Sequence, residues 1–84
     1  MLGDGLACYD LDYCIDDHGR LSDQARAVLA NESPIWVERS VSGTGLHVFV
    51  PALGRASFKQ PGVEFYSRGR FVRVTGDRFV TDHL

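Results

Sequence analysis

The sequence predicts an α+β fold, a small antiparallel or mixed β-sheet with one helix on one face. Three observations predict it. Several short stretches alternate apolar and polar residues at the period of two that suits a half-buried strand. One segment alone places an apolar stripe at helical spacing behind an N-capping residue. Proline and glycine punctuate the connections between these stretches. With 84 residues the chain has room for one domain, and such a chain buries only about 60% of its unfolded surface, so a large enclosed active site is not expected.

The first predicted strand is LACYDLDYC, residues 6–14, which sets Asp10 and Asp12 on one face and Ala7, Tyr9 and Leu11 on the other. DDHGR, 16–20, reads as a turn. Ser22 is a good N-cap for DQARAVLA, where Ala25, Val28 and Leu29 form the apolar stripe. Pro34 follows the helix, and IWVERSV, 35–41, reads as a strand leading into a glycine-spaced turn. LHVFV, 46–50, is the next strand, with His47 and Phe49 facing away from Leu46, Val48 and Val50. Residues 51–61, with two prolines and a glycine, read as a loop. VEFYS from residue 63 and RFVRVTG from residue 70 complete a β-α-β-β-β-β order, joined by a turn at Arg68 and Gly69.

Composition sets limits on function. Apolar residues make up 44% of the chain and charged residues 24%, with no apolar run near the roughly 18 residues of a membrane span. Cys8 and Cys14 lack a second cysteine or histidine at zinc-site spacing, so two reduced thiols in a cytoplasmic protein are expected. The formal charge of −2 conceals a split. Residues 1–38 hold eight acidic and two basic side chains, whereas 39–84 hold seven basic and three acidic, so a half suited to cations meets a half suited to anions.

Asp10, Asp12 and Glu64 each interrupt an otherwise apolar strand. Carboxylates at i and i+2 on a strand lie about 7 Å apart on one face, within reach of a common hard cation that relieves their repulsion. Taken alone, a D-x-D pattern is also what a solvated sheet face presents. In SGTGLH, Gly43 and Gly45 let the backbone approach a ligand and turn N–H groups inward, Ser42 and Thr44 add hydroxyls, and His47 stands at the entrance of the strand. A triphosphate suits these donors. A metal-dependent nuclease would use similar carboxylates but leave the hydroxyl turn and His47 without a task.

The acidic pair in YDLD, then SGTGLH opening a later strand, then GVEFY and the arginine-bearing RGRFVRVTG, resemble the archaeo-eukaryotic primase superfamily. The resemblance is strongest to the bifunctional primase/polymerase domains of phages and plasmids, and it covers about residues 5–79. It implies the RRM-like catalytic half of such a domain, with residues 1–84 forming a single motif-bearing module. Asp10, Asp12 and Glu64 would then be the catalytic, metal-binding carboxylates for Mg²⁺ or Mn²⁺. Ser42, Gly43, Thr44, Gly45 and His47 would bind the incoming nucleotide. Arg70 is the arginine best placed to neutralise phosphate, ahead of Arg68 and Arg73, and Lys59 is a weaker candidate for template or triphosphate contact.

The implied activity is nucleotidyl transfer in DNA replication, with a nucleoside triphosphate and a DNA template and primer as ligands. The family's cleft is completed by an N-terminal module that these residues do not include, so a second polypeptide supplying it, or a helicase, is an expected partner. The same resemblance allows a module that binds nucleotide and metal, or docks on a replication protein, without turnover. It implies a phage, prophage or plasmid protein in the cytoplasm of a bacterial host.

Overall fold

A computed structural model describes residues 5–32, 34–51, 56–67 and 74–79. Its elements are β1 (Leu6–Leu11), α1 (Asp23–Asn31), β2 (Trp36–Arg39), β3 (Leu46–Pro51), β4 (Phe58–Gln60) and β5 (Val63–Tyr66). The strands form one five-stranded sheet in the order β2-β3-β1-β5-β4. All four pairings are antiparallel, which settles the antiparallel-or-mixed alternative.

The helix forms where the sequence predicts. Ser22 Oγ accepts a hydrogen bond from the Ala25 N–H at 3.2 Å, satisfying one of the N–H groups that an open helix end leaves unpaired. Ala25 is fully buried, and Val28 and Leu29 pack on the same core as Ala7, Tyr9, Leu11, Val37, Leu46, Val48, Val50, Val63 and Phe65. These sheet residues are the alternate positions of their strands, so they share the helix-facing side. Phe65 is fully buried, with ring centroids 4.7 Å from Tyr9 and 5.4 Å from Phe58. On the other face Cys8 and Phe49 form a smaller cluster with Leu6 and Tyr66 packed against it.

Strand lengths and one assignment differ from the sequence reading. β1 stops at Leu11 because Tyr13 adopts a positive φ of 51°, after which Cys14 and Ile15 both donate to the Thr44 carbonyl. Phe58–Gln60, expected within a loop, is the edge strand β4. Its aromatic residue faces the core and the Pro61–Gly62 turn, with Gly62 at φ 76°, returns the chain into β5. Residues 70–73 of the expected last strand lie outside the described residues. Its continuation runs as a strap along the outer edge of β2, where Arg39 N–H donates to the Asp77 carbonyl at 2.8 Å and Phe79 N–H to the Val37 carbonyl at 2.9 Å.

Cys8 and Cys14 are both buried and not disulfide-bonded. Burial, reinforced by the Asp10 and Glu38 carboxylates, pushes the Cys8 thiol up to about 12, and burial pushes Cys14 to about 11. Among the described residues no helix is long and apolar enough to cross a membrane.

Candidate functional site

The strand register draws one row of polar residues across all five strands. Glu38 on β2 pairs with His47 on β3, His47 with Asp10 on β1, Asp10 with Glu64 on β5, and Glu64 with Lys59 on β4. Residues opposed in this way stand on the same side of a sheet, so the row occupies the face turned away from α1. Asp10 therefore lies between two sequence-predicted partners, His47 and Glu64. Asp12 lies one residue past the strand, exposed, with its N–H donating to the Gly62 carbonyl at 3.0 Å.

Burial is greatest at the β2–β3 end of the row and least at β4. The Glu38 side chain is fully buried and His47 is 9% exposed, whereas Asp10 is 34% and Lys59 79% exposed. His47 Nδ1 sits 3.2 Å from Glu38 Oε2, and His47 Nε2 lies 3.9 Å from Asp10 Oδ1. At the far end Lys59 Nζ is 3.6 Å from Glu64 Oε1. Among the described residues, no group of three or more His, Cys, Asp or Glu side chains is drawn together closely enough to hold a metal ion. The donor chemistry suits a hard cation all the same: Asp10 and Glu64 are carboxylates directly opposed on paired strands, an arrangement that a cation between them stabilises.

Glu38 is the residue that the sequence reading missed. Its Oε1 accepts from the Trp36 indole at 2.7 Å and from the Gly76 N–H at 3.3 Å, while Oε2 accepts from the Thr75 N–H at 2.7 Å. Burial pushes its carboxyl upward, but the Thr75 N–H, the Trp36 indole and His47 together outweigh that effect and hold it down at about 2. The available signal was an acidic residue in the apolar run IWV, the same interruption that singled out Asp10.

The glycine-spaced turn is built largely on itself. Ser40, Ser42 and Thr44 hydroxyls form a chain with both O···O distances at 3.0 Å. Gly43 N–H donates to the Ser40 carbonyl, Thr44 N–H to Ser42 Oγ and Gly45 N–H to Ser40 Oγ. Three N–H groups expected to turn toward a ligand thus have acceptors within the turn, while the Ser42 and Thr44 hydroxyls lie at its exposed surface. Gly43 has a φ of 80°, which favours glycine. Gly45 is required for a different reason than ligand approach: a β-carbon there would lie 2.5 Å from the Leu11 carbonyl oxygen. That contact sets the turn against the end of β1, one residue before Asp12.

Arg68, Arg70 and Arg73 lie outside the described residues. One strand step from the polar row, Leu6, Ile35, Trp36, Phe49 and Val74 line an open apolar depression of ≈ 300 Å³. No family model matches the chain, and no curated protein matches it either.

Proposed function

We propose that this chain is a metal-dependent nucleotidyl-transfer module of the primase/polymerase type, an RRM-like sheet that holds a nucleoside triphosphate on its open face. The observation that carries the reading is the register that flanks Asp10 with His47 on one side and Glu64 on the other. A triphosphate needs anion donors beside cation-binding carboxylates, and this row offers both in one line. Asp10 and Glu64, with Asp12 just past the strand, are the oxygen donors for Mg²⁺ or Mn²⁺. When bound, such an ion neutralises triphosphate charge and stabilises the oxygens of the transferring phosphoryl group.

The chain's own groups orient and neutralise. His47 Nε2 faces the carboxylates and is the ring atom that meets a phosphate oxygen, while the Ser42 and Thr44 hydroxyls extend the polar surface beyond it. Arg70 and Lys59 supply positive charge. No side-chain nucleophile is needed, because a primer 3′-hydroxyl attacks the α-phosphorus and pyrophosphate leaves. A DNA template and primer, and a partner polypeptide that completes the cleft, belong to this reading, as does a phage or plasmid replication context in a bacterial cytoplasm.

The test is calorimetric titration with a deoxynucleoside triphosphate, with and without Mn²⁺, beside an Asp10→Ala, Asp12→Ala double variant checked for native circular dichroism. Mn²⁺-dependent binding that disappears in the variant supports the site. Equal binding by the folded variant removes it. Primer extension then separates catalysis from the second reading, a docking module without turnover, which the apolar depression beside Trp36 favours.

A further inference from the structure

We propose that Glu38 is a positioning residue for His47, fixing the proton of the imidazole on Nδ1 and presenting Nε2 to the ligand. The proposal rests on the nucleotide reading for the identity of that ligand, but the placement of the proton stands on the hydrogen bonds alone.

Each oxygen of the buried carboxylate faces two donors. Oε1 takes the Trp36 indole N–H and the Gly76 N–H, and Oε2 takes the Thr75 N–H and His47 Nδ1. An ionised carboxylate accepts and never donates, so the ring nitrogen 3.2 Å away carries the proton. Trp36 and His47 are two residues from Glu38 in β2 and directly across from it in β3, while Thr75 and Gly76 come from the strap. Three elements thus converge on one side chain, and its rotamer is set before any ligand arrives. With Nδ1 committed, Nε2 is the ring atom turned along the row toward the proposed ligand, 3.9 Å from Asp10 Oδ1. A carboxylate behind the ring fixes its tautomer and its orientation, the role such groups play behind ligand-bearing histidines in general.

Replacing Glu38 with glutamine converts one acceptor into a donor without changing shape. If the amide nitrogen took the Oε1 place it would oppose two fixed donors, Trp36 and Gly76. In the Oε2 place it opposes only the Thr75 N–H, because the imidazole can shed its Nδ1 proton and accept instead. Glu38→Gln should therefore move the ring proton from Nδ1 to Nε2.

The experiment is ¹⁵N NMR of the His47 imidazole, assigned by His47→Gln, at a pH where the ring holds a single proton. The expected result is Nδ1–H in the wild type and Nε2–H in Glu38→Gln. Nε2–H in the wild type overturns the proposal without any variant, which keeps it testable if Glu38→Gln fails to fold. The second arm is Mn²⁺-dependent triphosphate binding. Glu38→Gln should weaken it about tenfold, the loss that follows when the group orienting a ligand-bearing histidine is changed, and should add nothing in a His47→Ala background. Wild-type affinity in a folded Glu38→Gln protein overturns positioning and leaves the nucleotide site intact. A wild type with Nδ1–H and no triphosphate binding sinks the nucleotide reading and leaves the proton placement standing.

Discussion

The buried Glu38 makes a sharp prediction about acid stability. Its carboxyl is held at about 2 in the folded protein against an ordinary value of 4.5. At about 1.36 kcal/mol for each pKa unit, that difference amounts to about 3 kcal/mol of folding stability. The folded value is the lower one, so the unfolded chain binds the proton more readily. The contribution is fully present above pH 4.5 and is lost as pH falls through the range down to about 2. A domain of this size has a total stability of only about 4–13 kcal/mol, so the loss is a large share. The chain's single tryptophan donates to the same carboxylate, so its fluorescence reports the site directly during urea unfolding at each pH. Glu38→Gln should be less stable than wild type at pH 7 by about 2–4 kcal/mol, because a donor is left facing Thr75 in a buried place. The two proteins should then converge as pH approaches 2. Parallel stability curves from pH 7 to pH 2 would refute the argument, since the loss would then belong to other carboxylates.

Other outcomes can be checked alongside. Gly45→Ala should destabilise by about 2–4 kcal/mol in chemical denaturation, because the new β-carbon meets the Leu11 carbonyl oxygen at 2.5 Å and Ser40 Oγ at 3.0 Å; unchanged stability would show that the turn moves aside cheaply. Phe65→Ala, at the fully buried centre of the helix-side core, should cost about 3–5 kcal/mol, and a cost below about 1 kcal/mol would mean that the packing described for β5 is wrong. Lys59→Ala should change stability by less than about 0.5 kcal/mol, its ammonium being mostly exposed beside Glu64, and a larger loss at low salt would mark the pair as structural. Both cysteines should resist alkylation at pH 8 in the folded protein and react in denaturant, since burial raises both thiols; rapid native labelling would contradict that burial.

What the sequence disclosed was decided by how local the controlling interaction is. The Ser22 cap and the Ala25, Val28, Leu29 stripe are set within one helix, and alternation along six residues sorts Tyr9 from Asp10, so those readings needed no partner. Alternation also put His47 and Asp10 on definite faces of their own strands. It could not show that these were the same face of one sheet, since that depends on strand order and register. β4 was hidden because proline and glycine dominate its surroundings, and three residues are too few to show a period. Glu38 was hidden because its four donors come from positions as far as 38 residues along the chain.

The polar row is enclosed at its β2–β3 end and open at β4, so the two ends differ in how firmly they are held. Glu38 and His47 are enclosed, hydrogen-bonded to each other and held from three elements. Asp10 and Glu64 are partly exposed, and Lys59 is a long, solvated side chain on an edge strand. In the proposed site, Lys59, mostly exposed and 3.6 Å from Glu64, would give up a weak surface pair to a divalent ion. The proposed site would then be held firmly at the atom that carries the proton and be more open where charge is gathered. Tethering of the rigid end by the 74–79 strap then has a consequence for binding as well as for folding: Thr75→Pro, which removes the N–H that reaches Glu38 Oε2 at 2.7 Å, should release the carboxylate and loosen His47 while leaving Asp10 and Glu64 in register. In Mn²⁺-dependent triphosphate titrations that variant should resemble Glu38→Gln rather than Asp10→Ala. If it instead abolished binding as the carboxylate variants do, the two ends of the row would not be separable and the division of labour would fall.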